Sequence, residues 1–548
     1  MHEGTAQLAE FDDEVDEFPM EFVYAMGDED DPKSVGQALA RPESKEWSKA
    51  MDVEINQLER LKTWKIVHPP PGANVINSGF VFRQKRDANG QIETYKARFI
   101  GKGYGQEYGI DHFKTFAPSV KMTSLRVVLS YAAQEDWEIH QIDIKSAYLN
   151  ATITETIYVK PLHGYLKPED KGKVCLLLKG LYGIKQAGRE WYRELSKTFS
   201  ELKFARSHAD HSVFYKLNDE PIIVTVSTDD MTLSAKYLKT IQRLKDDLQI
   251  RYGISDLGEI HWILGIEVKR DRAARTISLS QRSYIESFLK EFHLDDANSV
   301  SVPAEPGLIL GNHQSPETAR DLKEMENIPY ARGVGKLNYF YVTTGPQIGY
   351  SNGILARYMA NPGRTHWEAL KRVLRYVKGV KDNWLTLGGS NEGLEGFTDS
   401  DFASQPDRHS ISGYVFRFRG GAVSWSSKRQ PIVTLSTTEA EYVAGTQAAK
   451  EAIWLRRLIG EITTPFTRPT PLFCDNNGAR SLAKDDAIFH PRTKHIDIRF
   501  HFIRETVENR HISVIHIPSN ENIADIFTKA LARAKFQPFC DALGIRRV

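Results

Sequence analysis

The chain has 548 residues, of which 41% are hydrophobic, so it is long enough to bury several cores, and we expect three or four subdomains. Its three cysteines, Cys175, Cys474 and Cys540, are too few and too scattered for a disulfide framework or a zinc site, which favours a reducing intracellular compartment. No apolar run reaches the roughly 18 residues of a membrane span and the amino-terminal stretch is acidic, which argues against membrane insertion and secretion.

Charge is distributed unevenly along the chain. The formal net charge is +1, but residues 1–32 contain twelve acids and neither Lys nor Arg, which leaves 72 basic against 59 acidic residues in the remainder. Lys and Arg neutralise phosphates, so this remainder fits a nucleic-acid-binding protein, although it would also fit many ordinary basic proteins. We interpret residues 1–41 as an acidic, disordered arm.

The first predicted elements are a helix and a hairpin. EWSKAMDVEINQLERL has helical spacing, and the turn Asp87-Ala88-Asn89-Gly90 separates two β-prone segments, VFRQKR and QIETYKARFIGKG. Lys96 and Arg98 lie on the returning strand, where isolated basic residues are more often solvated than functional.

Three acids mark the next part of the chain. Asp143 leaves the apolar run HQIDIKSAYLN, a helix is predicted over AGREWYRELSKTFSEL, and Asp229 and Asp230 follow PIIVTV at a predicted hairpin turn. Neighbouring strands can bring the three carboxylates together. Oxygen ligands suit Mg²⁺ or Mn²⁺, and two such ions about 3.5–4 Å apart can catalyse phosphoryl transfer. A bare Asp pair is more often a solvated turn.

The stretch from IQRLKDDLQIRYG to SYIESFLKEFHL is predicted to be helical, amphipathic and partly basic. A helix bundle without ligands would have the same pattern. Two further segments follow, PETARDLKEMENIPYARGVGKLNYFYVTTGPQIGY and THWEALKRVLRYVKG.

A second acidic set lies near the carboxyl terminus. Asp399 ends a strand in EGFTDSDFAS, Glu441 lies in the helix TLSTTEAEYVAGTQAAKEAIWLRRLI, Asp475 ends the strand PLFCDNNGA, and Asp525 lies in a predicted helix, SNENIADIFTKAL. Four carboxylates can hold two divalent ions that act on a phosphate group, one activating water and one stabilising the leaving oxygen.

Some choices in this region stay open. Asp401 and Glu439 are rivals of Asp399 and Glu441. His495, His501 and His516 precede Asp525, and we interpret them as packed or surface histidines, with a role in product release as the alternative.

Six motifs together resemble the reverse transcriptase and RNase H end of the Pol polyprotein of copia-type LTR retrotransposons. In chain order they are EWSKAMDVEINQLERLKTWKIVHPP, YKARFIGKGYGQEYGIDHFKTFAPSVKMTSLR, QIDIKSAYLNATITETIYVKP, LLLKGLYGIKQAGREWY, the STDD hairpin and DLGEIHWILGIEV. The resemblance runs from about Pro42 to about Leu531.

This resemblance implies an α+β right-hand polymerase followed by a connection and an α/β RNase H-like domain. The implied boundaries are residues 42–300 for the reverse transcriptase (fingers about 42–120, palm about 121–235, thumb about 236–300), 301–392 for the connection, 393–533 for the RNase H-like domain and 534–548 for a C-terminal tail.

The resemblance also implies residue roles. The metal-binding catalytic acids would be Asp143, Asp229 and Asp230 in the polymerase, and Asp399, Glu441, Asp475 and Asp525 in the RNase H. The family register, an acid directly after Thr in the strand and the acid of Ala-Glu-Tyr in the helix, favours Asp399 and Glu441 over their rivals.

Five further residues would bind substrate. Lys96 and Arg98, which the sequence does not separate, would reach the incoming triphosphate, and Tyr148 would be the steric gate that selects deoxynucleotides. Tyr182 and Gly183, in the motif Leu-Tyr-Gly-Ile-Lys-Gln, would support the new base pair, with Gly183 allowing close backbone approach.

Two motifs depart from the family pattern. Ser227 and Thr228 precede the paired acids where Tyr-Val is usual, which removes an aromatic ring expected near the primer end. TGPQI, with Gly345 and Gln347, replaces Thr-Arg-Pro-Asp-Ile. All seven acids are retained, which argues against extensive decay. An inert relic or a domesticated nucleic-acid-binding protein is the alternative function, and a nuclease with a degraded polymerase site is a third.

The implied activity is RNA-directed DNA synthesis, with hydrolysis of the RNA in the resulting hybrid, using two Mg²⁺ per active site or Mn²⁺ in their place. The implied partners are an RNA template, a DNA primer, the RNA–DNA hybrid, dNTPs, a tRNA primer and other element-encoded proteins. The implied location is a cytoplasmic virus-like particle with a nuclear stage. No protease triplet in a suitable context, zinc module or integrase acidic set is recognisable, so we expect a processed product, a truncated element or a gene model of the 3′ part.

Overall fold

The computed structural model describes residues 31–86, 92–161, 168–476 and 502–548. Most of the predicted acidic arm and the turn at residues 87–91 lie outside these ranges. The chain divides into two compact units, Met1–Phe116 with Tyr148–Trp191, and Ala117–Ala147 with Tyr192–Val548. Both helices and sheets are abundant, so the predicted α+β class is confirmed.

Helices occur in both compact units. They are α1 Val35–Leu39, α2 Ser44–Arg60, α3 Met122–Gln134, α4 Ala187–Glu201, α5 Leu238–Tyr252, α6 Arg282–Glu291, α7 Ala319–Met325, α8 Tyr330–Thr343, α9 Gly349–Ala356, α10 Arg364–Gly379, α11 Thr437–Ile462 and α12 Arg533–Ala542. Residues 502–508 are also helical. None of the helices within the described residues has the length and apolar character needed to cross a bilayer.

Within the described ranges the strands form five sheets. They are β1 Trp64–Val67, β2 Val75–Ile76, β3 Ser78–Arg86, β4 Ile92–Gly101, β5 Glu138–Ile144, β6 Tyr158–Val159, β7 Val174–Leu177, β8 Ala205–Arg206, β9 Val213–Lys216, β10 Ile222–Ser227, β11 Asp230–Ala235, β12 Ile254–Glu259, β13 Trp262–Ile263, β14 Ile266–Asp271, β15 Thr276–Ser280, β16 Asn383–Gly388, β17 Glu395–Asp401, β18 Ile411–Phe418, β19 Gly421–Arg429, β20 Thr470–Cys474, β21 Ile512–His516 and β22 Ile545–Arg547.

The first unit is built on the predicted helix and hairpin. Helix α2 buries Trp47, Met51, Ile55 and Leu58, a spacing of three and four residues that puts them on one face. The hairpin β3–β4 supplies the opposing surface, where the Trp47 ring meets the edge of Phe82 at 5.2 Å between centroids. A second sheet, in the order β1-β7-β6-β2, completes this unit.

The second unit contains a six-stranded sheet in the order β12-β5-β11-β10-β9-β8. Helix α3 packs against strands of three different sheets, among them β11, β16 and β19. Its side chains are therefore buried on every face, as expected of a helix at the centre of a core.

The predicted helical thumb is wrong over part of its length. Helices α5 and α6 are present, but the residues between them form four strands. Strand β12 joins the six-stranded sheet, whereas β13, β14 and β15 continue into β16 and β22 in a five-stranded sheet. The physical reason is local: Ile266 and Val268 are buried on β14 and alternate with more exposed residues, which is a strand period.

The last sheet has the order β19-β18-β17-β20-β21. The first three strands are antiparallel, and β17, β20 and β21 are parallel to one another. Helix α11 packs on β17 and β18. This arrangement has the strand and helix order predicted for residues 393–533.

The compact units do not follow the implied linear boundaries. Residues 148–191, assigned to the palm, belong to the same unit as the fingers segment. The implied tail at 534–548 is mostly α12 and β22. The boundaries otherwise stay predictions.

Candidate active sites

The first candidate site lies at one end of the six-stranded sheet. Strands β10 and β11 form a hairpin in which Ser227 pairs with Asp230, so Thr228 and Asp229 are the two turn residues. Strand β11 also pairs with β5, and this register sets Asp230 directly opposite Asp143. Opposed residues of an antiparallel pair project from the same face, about 4.5–5.5 Å apart at Cβ. The pairing therefore brings two of the three predicted acids together.

The third acid is held by the neighbouring strand end. The amide of Ile144 donates a hydrogen bond of 2.9 Å to the Asp229 carbonyl. The side chains of Asp143, Asp229 and Asp230 are each half-buried. Gln141 Nε2 donates to Asp230 Oδ1 at 3.4 Å. The turn thus places Asp229 beside the strand that carries Asp143.

Ser227 and Thr228, which replace the Tyr-Val usual in the family, lie at this turn. Thr228 has a φ of +55°, a left-handed conformation that β-branched residues adopt at a cost of about 1–3 kcal/mol. The Ser227 hydroxyl lies 3.2 Å from the Ser119 hydroxyl. The hairpin register is intact despite the loss of the expected aromatic residue.

Four of the predicted substrate-binding residues lie together in the first unit. The Arg98 guanidinium lies 4.4 Å from the centroid of the Tyr182 ring, and the Tyr148 ring meets Tyr182 edge-on at 4.6 Å. Gly183 has a φ of +87°, and a Cβ there would meet the Gly101 carbonyl oxygen at 2.3 Å. The close approach seen here is to the protein's own backbone at the end of β4, and the approach to a base pair stays a prediction.

Lys96 and Arg98 lie on one face of β4, alternating with the buried Ala97 and Phe99, and both are half-buried. The Arg98 guanidinium stacks on the Tyr182 ring. Sequence reasoning missed Glu54, whose carboxylate accepts a 3.1 Å hydrogen bond from the Phe99 amide. Burial raises the pKa of Glu54, against the opposing effects of that amide and of the Arg98 and Lys96 charges.

The second candidate site lies at the end of the parallel strands β17 and β20. Phe397 pairs with Phe473 in this parallel register. Asp399 and Asp475 each follow two residues later in the same direction, so both carboxylates reach the same edge of the sheet. Asp399 lies within β17 rather than at its last residue, and Asp475 directly follows β20.

The other two acids come from helical segments. Glu441 lies in the first turns of α11, and its Oε1 accepts a 3.2 Å hydrogen bond from the Ser400 amide. Asp525 lies in a short 3-10 helix, Ile523–Phe527, rather than the predicted α-helix. Asn522 caps this segment and donates a 3.0 Å hydrogen bond to the Thr398 carbonyl, which fixes it against β17.

The four acids form two overlapping groups. Carboxylate oxygens of Asp399, Asp475 and Asp525 lie within 4.8 Å of one another, and so do ligand atoms of Glu441, Asp475 and Cys474. Glu441 Oε2 is buried and has no hydrogen-bond partner among the described residues. Burial raises the pKa of the Cys474 thiol, and the other ligand atoms of both groups are carboxylate oxygens. This donor set fits a divalent metal.

Burial and mutual repulsion disfavour the charged forms of two of these acids. Burial raises the pKa of Asp399 to about 8, against the opposing effect of Lys529. Burial and then the charges of Asp399 and Asp475 raise the pKa of Glu441 well above its usual range. Clustered carboxylates of this kind are expected to be stabilised by a bound cation.

Three further groups contact the acids and were missed from the sequence. The Thr528 hydroxyl donates to Asp399 Oδ2, and Lys529 Nζ lies 2.7 Å from Asp525 Oδ1 and 3.5 Å from Asp399 Oδ2. Lys535 Nζ forms an ion pair with Asp525 Oδ2. The spacing of Lys529, four residues after Asp525, was a usable helical signal, whereas Lys535 offered none.

The two rival acids, Glu439 and Asp401, have other surroundings. Glu439 accepts a 2.7 Å hydrogen bond from the Leu435 amide, and its own amide donates to Ser436, the N-cap of α11, so Glu439 is held in the first turn of that helix. Asp401 is the last residue of β17, and burial raises its pKa. Neither residue belongs to the carboxylate groups above. His516 ends β21, opposite Cys474. His495 and His501 lie outside the described residues.

Comparison with known proteins identifies the relatives of this chain. Residues 61–306 match the family model described as reverse transcriptase (RNA-dependent DNA polymerase). The chain is 39% identical over 531 residues to the retrovirus-related Pol polyprotein from transposon TNT 1-94 of Nicotiana tabacum, covering 96% of this chain and 40% of that protein. It is 35% identical over 524 residues to the polyprotein from transposon RE1 of Arabidopsis thaliana, covering 95% and 35%. The chain thus spans two-fifths or less of the length of these two relatives.

Two further comparisons concern a short relative and a solved structure. The putative transposon Ty5-1 protein of Saccharomyces cerevisiae is 30% identical over 314 residues, which are 57% of this chain and 100% of that protein. The foamy viral protease-reverse transcriptase in complex with RNA/DNA hybrid aligns over 86% of this chain and 54% of its own, with a TM-score of 0.45 and 10% identity. These sequence relatives show that this chain belongs to the reverse transcriptase family of retrovirus-related Pol polyproteins from copia-type LTR retrotransposons.

Proposed function

We propose that the chain is an RNA-directed DNA polymerase that also hydrolyses RNA in RNA–DNA hybrids. The observation that carries the proposal is the presence of two separate acid clusters, each gathered at the end of its own sheet. Asp143 and Asp230 are opposed in one sheet, and Asp399 and Asp475 share an edge of another.

In the polymerase half, Asp143, Asp229 and Asp230 would hold magnesium, or manganese in its place. A bound pair of such ions stabilises the attacking and leaving oxygens of a phosphoryl transfer. The chain's own contribution is to fix the acids: the β5–β11 register holds two of them, and the Ile144 amide holds the backbone of the third.

In the first unit, Arg98 and Lys96 would meet the triphosphate of the incoming dNTP. The Tyr182 ring holds the Arg98 guanidinium by stacking and supports the Tyr148 ring on its edge. Tyr148 would exclude a ribose 2′-hydroxyl by its bulk, and Gly183 keeps the backbone of this loop against β4.

In the nuclease half, Asp399, Glu441, Asp475 and Asp525 would hold the metal. Two observations support this assignment, namely the orphaned Glu441 Oε2 and the two overlapping carboxylate groups. Lys529 offsets the charge of Asp525 and Asp399, and Asn522 positions Asp525 through the Thr398 carbonyl.

The test is Mg²⁺-dependent extension of a labelled DNA primer on an RNA template, with RNA cleavage followed in the same reaction. The parent chain is expected to do both. Asp229→Asn is expected to lose extension and keep cleavage, and Asp525→Asn is expected to lose cleavage and keep extension. Loss of both activities in both variants would contradict two independent sites.

The second candidate is an inert relic or a domesticated nucleic-acid-binding protein, favoured by the strained Thr228 and the missing aromatic residue at Ser227. Duplex binding by a folded chain that neither extends a primer nor cuts RNA would support it. Cleavage without extension would support a nuclease alone. The tRNA primer, the element-encoded partners and the location in a virus-like particle stay predictions.

A further inference from the structure

The C-terminal strap, residues 533–548, connects two parts of the second unit. It consists of α12, which follows the segment that carries Asp525, and β22, which leaves that region and joins another sheet. Strand β22 pairs with β16, with Ile545 opposite Leu385. The strap therefore begins beside the candidate nuclease site and ends in the sheet formed by β13–β16.

The strap is anchored along its length. Phe536, Phe539 and Leu543 are buried, and the Phe536 ring meets the edge of Tyr376 at 5.6 Å. The Thr386 amide donates a 2.9 Å hydrogen bond to the Gly544 carbonyl. Gly544 has a φ of +88°, and a Cβ there would meet the Thr386 carbonyl oxygen at 2.6 Å, so this position requires glycine.

The start of the strap places the Lys535 ammonium group at the nuclease site. Lys535 Nζ forms an ion pair with Asp525 Oδ2 and also donates a 2.9 Å hydrogen bond to the Ser519 carbonyl. The ammonium lies 5.4 Å from the centroid of the Phe539 ring on the same helix. These contacts hold the ammonium beside Asp525 in the metal-free protein.

Asp525 is thereby neutralised from both sides. Its side chain is fully buried, Lys529 lies 2.7 Å from Oδ1, and Lys535 pairs with Oδ2. A divalent cation that binds Asp525 is repelled by both ammonium groups, and this repulsion is strong where water is scarce. The Lys535 side chain is 33% exposed, so its ammonium can swing into water as a metal enters.

We propose that the strap supplies Lys535 as an internal counter-ion of Asp525, and that docking of the strap sets how much divalent metal the nuclease site requires. The proposal rests on the proposed RNase H function and assigns Lys535 as a positioning residue, because it acts on the carboxylate rather than on RNA. Because β22 of the strap pairs with β16, the sheet that contains β16 then also affects metal binding at the nuclease site.

The experiment measures Mn²⁺ binding to the full chain by titration calorimetry. Asp229→Asn and Asp230→Asn are present in every sample, so that any heat from the polymerase site is the same throughout. The compared chains are this parent, Lys535→Met, the charge-conserving Lys535→Arg, the remote anchor variant Gly544→Ala and the site control Asp525→Asn.

Lys535→Met is expected to bind Mn²⁺ on the order of tenfold more tightly than the parent, because one repelling charge is removed. Lys535→Arg should bind as the parent does, and Gly544→Ala should shift in the same direction as Lys535→Met by a smaller factor. Thermal unfolding gives a second readout: the gain in Tm from EDTA to Mn²⁺ should be larger in Lys535→Met than in Lys535→Arg.

Each contrary result has a distinct meaning. If the parent and Asp525→Asn give the same heat of Mn²⁺ binding, Asp525 does not bind the metal. The RNase H proposal then fails, and the strap proposal fails with it. If the parent binds Mn²⁺ but Lys535→Met has the same affinity and the same Tm gain, the counter-ion role is refuted alone. If Lys535→Met shifts but a folded Gly544→Ala does not, the influence of the anchor is refuted.

Discussion

Asp230 lies directly opposite Asp143 in the antiparallel pairing of β11 with β5. We expect Asp230→Asn to lower primer extension at least about 100-fold, since metal-held carboxylates contribute several kcal/mol to a phosphoryl-transfer transition state. The amide keeps the size of the side chain, so the hairpin register should survive. Steady-state extension assays measure the loss, and Asp219→Asn, an exposed acid on the preceding loop, is the matched control. Equal losses in both variants would contradict the assignment.

Arg98 and Lys96 share a face of β4, but Arg98 is the residue stacked on Tyr182. We expect Arg98→Met to raise the KM for dNTPs by about tenfold, and Lys96→Met to raise it less, because stacking holds the Arg98 charge in one position. Single-nucleotide extension at varied dNTP concentration measures both constants. A larger effect of Lys96→Met would reverse the assignment.

Arg126 is buried and donates to three carbonyl groups, those of Val342, Thr343 and Val423, each at 2.8 Å. Its guanidinium also lies 3.9 Å from the Trp425 ring centroid. Arg126→Met leaves these carbonyls unsatisfied, so we expect the free energy of unfolding of the second unit to fall by about 2–4 kcal/mol.

Thermal and urea denaturation measure that loss. The control is Arg251→Met, which removes an exposed ion pair with Glu201 and is expected to cost less than about 1 kcal/mol. Equal stability of the two variants would show that Arg126 is not a structural link within this unit.

We expect the free energy of unfolding of the metal-free protein to depend on pH through Asp399. Its raised pKa means that the folded state keeps a proton up to about pH 8, whereas the unfolded chain releases it near pH 4. The unfolded state binds fewer protons between these values, so the contribution of Asp399 to the free energy of unfolding falls as pH rises through this window. Urea denaturation in EDTA at several pH values measures it. The decline should be shallower in Asp399→Asn, and identical slopes would contradict the raised pKa.

The local elements of both sites could be predicted from the sequence. A predicted turn between β-prone runs located Asp229 and Asp230, although the turn residues are Thr228 and Asp229 and Asp230 already begins β11. Acids after apolar runs located Asp399 and Asp475. Such signals depend on residues near in sequence, where periodicity and turn chemistry are decisive.

Long-range pairing could not be predicted in the same way. Strands β12–β15 lie in a stretch that was interpreted as helical, amphipathic and partly basic, and β16, the partner of β15, lies far along the chain. Lys535 contacts Asp525 through the tertiary packing of α12, which no local sequence pattern predicts. The grouping of residues 148–191 with the fingers segment is likewise a property of tertiary packing.

The pairing of β16 with β22 also has a consequence for synthesis. Residues 389–544 must be synthesised after β16 before β22 can cover its edge, which at about 5–20 residues per second takes on the order of 10 s. During this interval an unpaired strand edge is open to other nascent chains. We therefore expect yield of soluble protein to depend on chaperone supply and on slower expression at lower temperature, more than on the stability of the finished fold.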